Sequence, residues 1–250
     1  MGLGWSQQEG EEEEGPQQLM PIERAMEKPM EKPTEKTMEK LTEKAMAKPK
    51  KLPHNYQAIM QETDSPLEAK SENLYPRLHY GVFLSHKRKK YWVDEQSGHN
   101  CFMLFARDLL ITWSEDKRYW HWDRVKAAGD VDVEVAVLLD VCWLEVHGKL
   151  DSSYLSPGAK YEVAFVVKIE EPFYGWNVPV TLRLLCPGEE VQERKEILQD
   201  KPKSQWVELY VGDVANPKQS GEIQFSLFEY QDGRWKRGLI IKGAIIRPKK

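Results

Sequence analysis

The sequence predicts an all-β protein: a β-sandwich or jelly-roll-like domain preceded by a disordered N-terminal region. Three observations predict it. From about residue 97 onward, apolar and polar residues alternate with a period of two, as in strands with one buried face. Turn-forming pairs such as Asp232-Gly233 punctuate these runs. No long stretch carries the three-and-four spacing of an amphipathic helix, and many short strands without helices indicate two packed sheets.

Taken in order, residues 1–72 read as a low-complexity tail. Glu9-Gly10-Glu11-Glu12-Glu13-Glu14 is an acidic run. A four-residue unit ending in Glu-Lys then recurs, as Met26-Glu27-Lys28, Met30-Glu31-Lys32, Thr34-Glu35-Lys36, Met38-Glu39-Lys40 and Thr42-Glu43-Lys44. A period of four drifts around a helix, and adjacent Glu and Lys do not face each other. With few aromatic or β-branched residues, the segment has little apolar surface to offset its ordering entropy. It is expected to be disordered, as a tether or a docking segment for a partner.

Residues 73–98 read as a linker or domain-entry segment. Its basic run, His86-Lys87-Arg88-Lys89-Lys90, is a solvated loop or, alternatively, a phosphate-contacting or nuclear-import patch. Residues 99–250 form the expected domain. An apolar segment over 101–110 leads into 111–122, where three tryptophans and a tyrosine are separated by charged residues. Residues 133–146 are more continuously apolar and suggest a central strand. Four alternating strands follow: Tyr161, Val163, Phe165, Val167 and Ile169; Val178, Val180, Leu182 and Leu184; Val207, Leu209 and Val211; Ile223, Phe225 and Leu227. Asp232-Gly233 is expected to fold the last of these into a hairpin with 235–246.

Charge and cysteine content narrow the function classes. Residues 1–72 hold 10 Lys/Arg against 15 Asp/Glu, and the remainder 26 against 25. A near-neutral body argues against strong electrostatic capture of nucleic acid. Cys101, Cys142 and Cys186 are widely spaced, with no CxxC and no Cys/His ligand pattern, so neither a zinc site nor another metal or cofactor is expected. The thiols read as reduced and mostly buried, the alternative being an intermolecular disulfide. No apolar run reaches membrane-spanning length and no leader is visible, which suggests a cytoplasmic or nucleocytoplasmic protein without stable membrane insertion. Met1-Gly2-Leu3-Gly4-Trp5-Ser6 fits the loose myristoylation pattern, but one acyl chain binds membranes only marginally.

The chemistry points to binding, not catalysis. GxSxG, Walker A, HExxH and GxGxxG are all absent. A glycosidase would need two carboxylates facing each other across a sugar, which the pattern does not single out. Rings held among polar groups suit a flat, half-apolar ligand such as a sugar face. Trp113, Tyr119, Trp120 and Trp122 supply such rings, and 114–118 reads as a polar loop that brings Trp113 and Trp120 together. On simple alternation Glu229 shares the face of Ile223, Phe225 and Leu227. A carboxylate there is costly without a hydrogen-bonding task, unless it reaches solvent at the strand end. Glu222 falls on the opposite face. Trp143 reads as core, Trp176 as loop or core, and Trp206 and Trp235 as packing across the sheet.

These residues carry a resemblance. Ala106-Arg107-Asp108-Leu109, Ile111-Thr112-Trp113, Tyr119-Trp120-His121-Trp122, then Trp143-Leu144-Glu145-Val146-His147-Gly148-Lys149, Trp206-Val207-Glu208-Leu209, Gly221-Glu222 through Phe228-Glu229, and Trp235-Lys236-Arg237-Gly238 with Ile246-Arg247-Pro248 occur in order. Over residues 100–248 the chain resembles the phloem protein 2 lectins, the family that includes the tobacco agglutinin. The resemblance implies a β-sandwich lectin, often a homodimer, that binds N-acetylglucosamine oligomers, N-glycan cores and the glycoproteins bearing them. It implies a phloem setting linked to defence or stress. Trp113 and Trp120 match its sugar-binding tryptophans, Glu222 and Glu229 match acidic positions of the same site, and Tyr119 lies among them. The alternative it carries is a structural phloem filament component, or an RNA carrier, with a vestigial sugar site. The Lys-rich internal segment tied to nuclear import in the tobacco protein has no counterpart in 185–203.

Overall fold

The computed structural model describes residues 51–65, 73–127, 130–215 and 221–249. The Glu-Lys repeats, Gly2 and the rest of 1–50 lie outside the described residues, so the expectations for them stay as stated.

Two antiparallel sheets stack face to face, as the alternation predicted. The first has eight strands. Strand β13 (Arg237–Pro248) is its spine. Along one edge β13 pairs with β3 (Asn100–Phe105) and then β6 (Asp132–Leu138); along the other it pairs with β8 (Tyr161–Tyr174). β1 (Val82–Leu84) and β2 (Lys89–Val93) extend from β3, β5 (Trp120–Lys126) from β6, and β11 (Val207–Val214) from β8. The second sheet runs β10 (Gln192–Glu196), β9 (Val180–Leu185), β12 (Glu222–Glu229), β7 (Leu144–Asp151), β4 (Leu110–Ile111).

Period-two burial builds the core between them. On β7, Leu144, Val146 and Leu150 are buried, while Glu145, His147, Lys149 and Asp151 point away from the core. On β12, Ile223, Phe225 and Leu227 face inward. The Phe225 ring meets Phe165 of β8 edge-on at 5.6 Å, joining the two sheets through the core. Gly148 makes that possible, because a Cβ there would stand 2.2 Å from the Phe225 ring.

Three expectations are corrected. Asp232-Gly233 does not close a hairpin. β12 pairs with β7 and β9, and β13 with strands of the other sheet, so this turn carries the chain across the sandwich. The apolar stretch 133–146 is not one strand. It splits into β6 and β7, in different sheets, and the Leu139 amide makes the last bond to the β5 side, donating to the Tyr119 carbonyl. The third concerns residues 51–98, assigned to the tail and linker. Their described part belongs to the folded body. Helix α1 (Tyr56–Gln61) and helix α2 (Leu74–Tyr80) bury Ile59, Leu74 and Leu78, and β1 and β2 bury Leu84 and Tyr91 in the same core. The basic run spans the β1–β2 turn and the first two residues of β2. Ser85, His86 and Lys87 take left-handed backbone angles there, and the Asp64 carboxylate accepts the amides of His86 and Lys87 at 2.6 and 2.7 Å.

Candidate functional site

The ring cluster of 111–122 forms the bend between β4 and β5, and its rings divide into anchors and one presented side chain. The indole N–H of Trp120 donates to the Thr112 carbonyl at 3.2 Å, and that of Trp122 to the Ser114 carbonyl at 3.2 Å. Asp116 grips Arg118 and accepts its amide, and the backbone amides of Tyr119 and Trp120 donate to the Asp116 carbonyl. Trp120 is 1% exposed, within the main core, and Trp122 is half-buried under the Arg107 guanidinium, 3.5 Å from its ring centre. Trp113 is 47% exposed. Its φ of 61° is left-handed, a costly state for a bulky side chain. Tyr119 is half-buried and supports Trp113, with ring centres 5.1 Å apart.

Trp120 is therefore corrected as a stacking partner for Trp113. Its ring has no open face, and its seven-residue spacing from Trp113 reflects a turn that the buried indole pins from beneath. Glu229 is also corrected as an open ligand contact. It is 6% exposed, against the fully buried Lys236 ammonium, and its Oε1 accepts the Asp232 amide at 2.9 Å. The alternation that placed it among apolar neighbours was right, and its hydrogen-bonding task is internal. Glu222 is exposed but lies at the far end of β12, paired with Lys149 at 2.8 Å. Seven strand steps, about 23 Å, separate it from Glu229, so one sugar ring does not reach both. The bend brings Trp113 and Tyr119 together and buries Trp120 beneath them, while Glu222 and Glu229 stand at opposite ends of β12.

Other residues join Trp113 at this end of the five-stranded sheet. Trp143, expected in the core, is 41% exposed. Its ring lies flat on Tyr230, with centres 4.3 Å apart and planes at 12°, and Tyr230 in turn stacks on Phe228. Glu145 ties these rings to the Trp113 bend. It accepts the Trp143 indole N–H at 2.9 Å and the Thr112 hydroxyl at 3.2 Å, and His147 Nε2 lies 3.1 Å away. The Trp143 hydrogen bond, supported by His147 and Thr112, holds the Glu145 carboxyl below its usual range against a modest burial effect. Beside Tyr230 a shallow pocket is lined by Val178, Pro179, Thr181, Lys195 and Phe228, with the largely buried Glu229 in its wall. Exposed indole rings backed by half-buried phenol rings, next to an ionised carboxylate, a hydroxyl and an ammonium, can stack on an apolar face and satisfy a polar rim.

Sequence reasoning missed Trp143 and Tyr230. The available signal was Glu145 two residues after Trp143 on an outward-facing parity, which marks that end of β7 as polar. The remaining tryptophans serve structure or stand at the surface. Trp176 is buried and donates to the Arg237 carbonyl at 2.7 Å, Trp206 lies between Lys168 and Lys242, and Trp235 is exposed instead of packed across the sheet. The three cysteines are free, with Cys101 and Cys186 buried. Burial pushes the Cys101 and Cys186 thiols up to about 12. No cluster of potential metal ligands occurs among the described residues.

Comparison with known proteins places these features. Residues 99–248 match the family model described as phloem protein 2. The chain is 48% identical over 203 residues to Protein PHLOEM PROTEIN 2-LIKE A1 of Arabidopsis thaliana, spanning 80% of this chain and 82% of that one. It is 42% identical over 203 residues to a Luffa acutangula protein named Lectin, spanning 80% and 96%.

Proposed function

The chain belongs to the phloem protein 2 family, and on that premise we propose that it is a lectin. Its proposed ligands are N-acetylglucosamine oligomers, N-glycan cores and glycoproteins that carry them, met in the cytoplasm of phloem cells. The observation that carries the reading is the exposed Trp143 ring, stacked on Tyr230 and fixed by its indole N–H on Glu145. A sugar presents a C–H face to such a ring and a rim of hydroxyls around it. Trp143 and Trp113 receive the faces of successive rings. Glu145 accepts hydroxyl hydrogens, the Thr181 hydroxyl both donates and accepts, and Lys195 donates to ring or acetamido oxygens. The name of the Luffa relative supports the same reading. A shallow surface makes few contacts, so each site binds weakly and a homodimer would supply avidity.

A glycan array run with and without competing chitotriose tests this directly. Wild-type protein is expected to bind N-acetylglucosamine-containing glycans and to be displaced. Trp143→Ala and Trp113→Ala are each expected to weaken binding on the order of tenfold, because a lost stacking ring costs about 1–2 kcal/mol. Binding unchanged in both folded variants would sink the assignment of the site.

A further inference from the structure

We infer that Lys236 is a positioning residue for the Trp143/Tyr230 platform, and that Glu229 affects ligand binding only through it. This deepens the lectin reading and rests on that platform being the ligand surface.

Lys236 joins the two segments that carry the rings. Its backbone forms a two-way bridge with Val141, amide to carbonyl at 3.0 and 2.8 Å. Its ammonium is fully buried and donates to the Cys142 carbonyl at 3.0 Å, the residue before Trp143. It also donates to the Arg234 carbonyl at 2.8 Å and pairs with Glu229, the residue before Tyr230. Two carbonyls accept its N–H groups, and the Glu229 carboxylate balances its charge as an ion pair. Glu229 holds the other side, with Oε2 on Lys236 and Oε1 on the Asp232 amide. A single ammonium therefore sets how far the turn over 141–143 stands from the crossing between the sheets. That separation is what keeps the rings 4.3 Å apart and nearly parallel. Lys236 is fully buried, and Glu229, although it lines the pocket beside Tyr230, is only 6% exposed, with its carboxylate turned toward Lys236 and the Asp232 amide. Both were carried by sequence blocks whose rings and carboxylates suggest direct contact; the geometry assigns them an indirect role.

Removing one partner of a buried pair leaves a bare charge, whereas removing both together is often close to neutral for stability. The test is therefore a cycle of Lys236→Met, Glu229→Gln and the double variant in the full chain. It reads chitotriose affinity, melting temperature and the ligand-free near-ultraviolet circular dichroism of the stacked rings, with Trp143→Phe identifying that signal. Each single variant is expected to lose on the order of tenfold in affinity and to change the ring signal, and the double variant to lose no more than Lys236→Met alone. Affinity losses that multiply would mean that Glu229 touches the sugar, and would overturn the inference. So would wild-type affinity and ring signal in Lys236→Met. Should the single variants fail to fold, the double variant decides: reduced affinity with a changed ring signal supports the inference, and wild-type values overturn it. If wild-type protein binds no glycan, the lectin reading fails by itself, and the ring signal still reports whether Lys236 sets the platform.

Discussion

At the scale of single residues, Trp113 pays for its position in strain. Left-handed backbone angles cost a bulky L-residue about 1–2 kcal/mol, and Trp113 adopts them with nearly half its surface in solvent. Its contact with Tyr119 returns about 0.5–1.5 kcal/mol, so packing does not explain why a tryptophan stands there. Trp113→Gly relieves the backbone and removes the ring. Its melting temperature is expected to stay within about 4 °C of wild type, a shift of roughly 1 kcal/mol, while glycan binding falls as far as in Trp113→Ala. Trp120→Ala is expected to behave in the opposite way, losing about 3–5 kcal/mol of stability because its ring and its bond to the Thr112 carbonyl lie in the core. Thermal unfolding beside affinity measurement separates the two. A Trp113→Gly variant that unfolds easily would return that ring to a structural role. The sequence marked these rings as a group because charged residues divide them. It did not distinguish Trp113 from Trp120, since their difference lies in which indole N–H points back at its own turn.

At the scale of elements, the strands were legible where one face is buried and the other is not, as in β8, β9, β11 and β12. Pairing was less legible, because turn chemistry is local. Asp232-Gly233 reverses the chain equally well within a sheet or between sheets, and only the positions of β7 and β8 decide. The break in 133–146 had one local mark, Asp140 amid apolar residues. Residues 51–98 were misread because α1 and α2 span only six and seven residues and their apolar positions make no extended pattern. Their weight in the fold is nonetheless large. Tyr56, Ile59, Leu74, Leu78, Val82, Leu84, Tyr91 and Val93 all join the core. At about 1.5–3 kcal/mol per buried apolar side chain, these eight contribute roughly 12–24 kcal/mol, comparable to or above the roughly 5–15 kcal/mol net stability of a typical domain. A chain shortened to 99–250 is expected to lose cooperative unfolding, whereas 51–250 keeps every one of these residues and a single transition. Differential scanning calorimetry of the two distinguishes them, and a cooperative transition in 99–250 would show that the family-matched segment folds alone.

At the scale of the whole molecule, charge decides between a sugar ligand and a nucleic acid. The 26 Lys/Arg of 73–250 face 25 Asp/Glu, and many are matched in place. Arg247 binds Glu162 and Glu208, Lys249 and Lys160 share Asp213, Arg183 meets Glu193, and Lys149 meets Glu222. Cations already paired release few counterions on binding a phosphate backbone, which is the main source of such affinity. A sugar carries no charge, so stacking on Trp143 and hydrogen bonds to Glu145 displace water, not salt. Chitotriose affinity is therefore expected to change less than about twofold between roughly 50 and 200 mM salt. A protein making six to ten phosphate contacts loses about a thousandfold or more over that range. Titrating both chitotriose and a single-stranded RNA across it tests the lectin reading against the RNA-carrier alternative. Tight RNA binding with a steep salt slope, beside absent sugar binding, would favour the carrier. It would also mean that the exposed rings at the end of the five-stranded sheet stack on bases, a role an uncharged sugar could not mimic in its salt dependence.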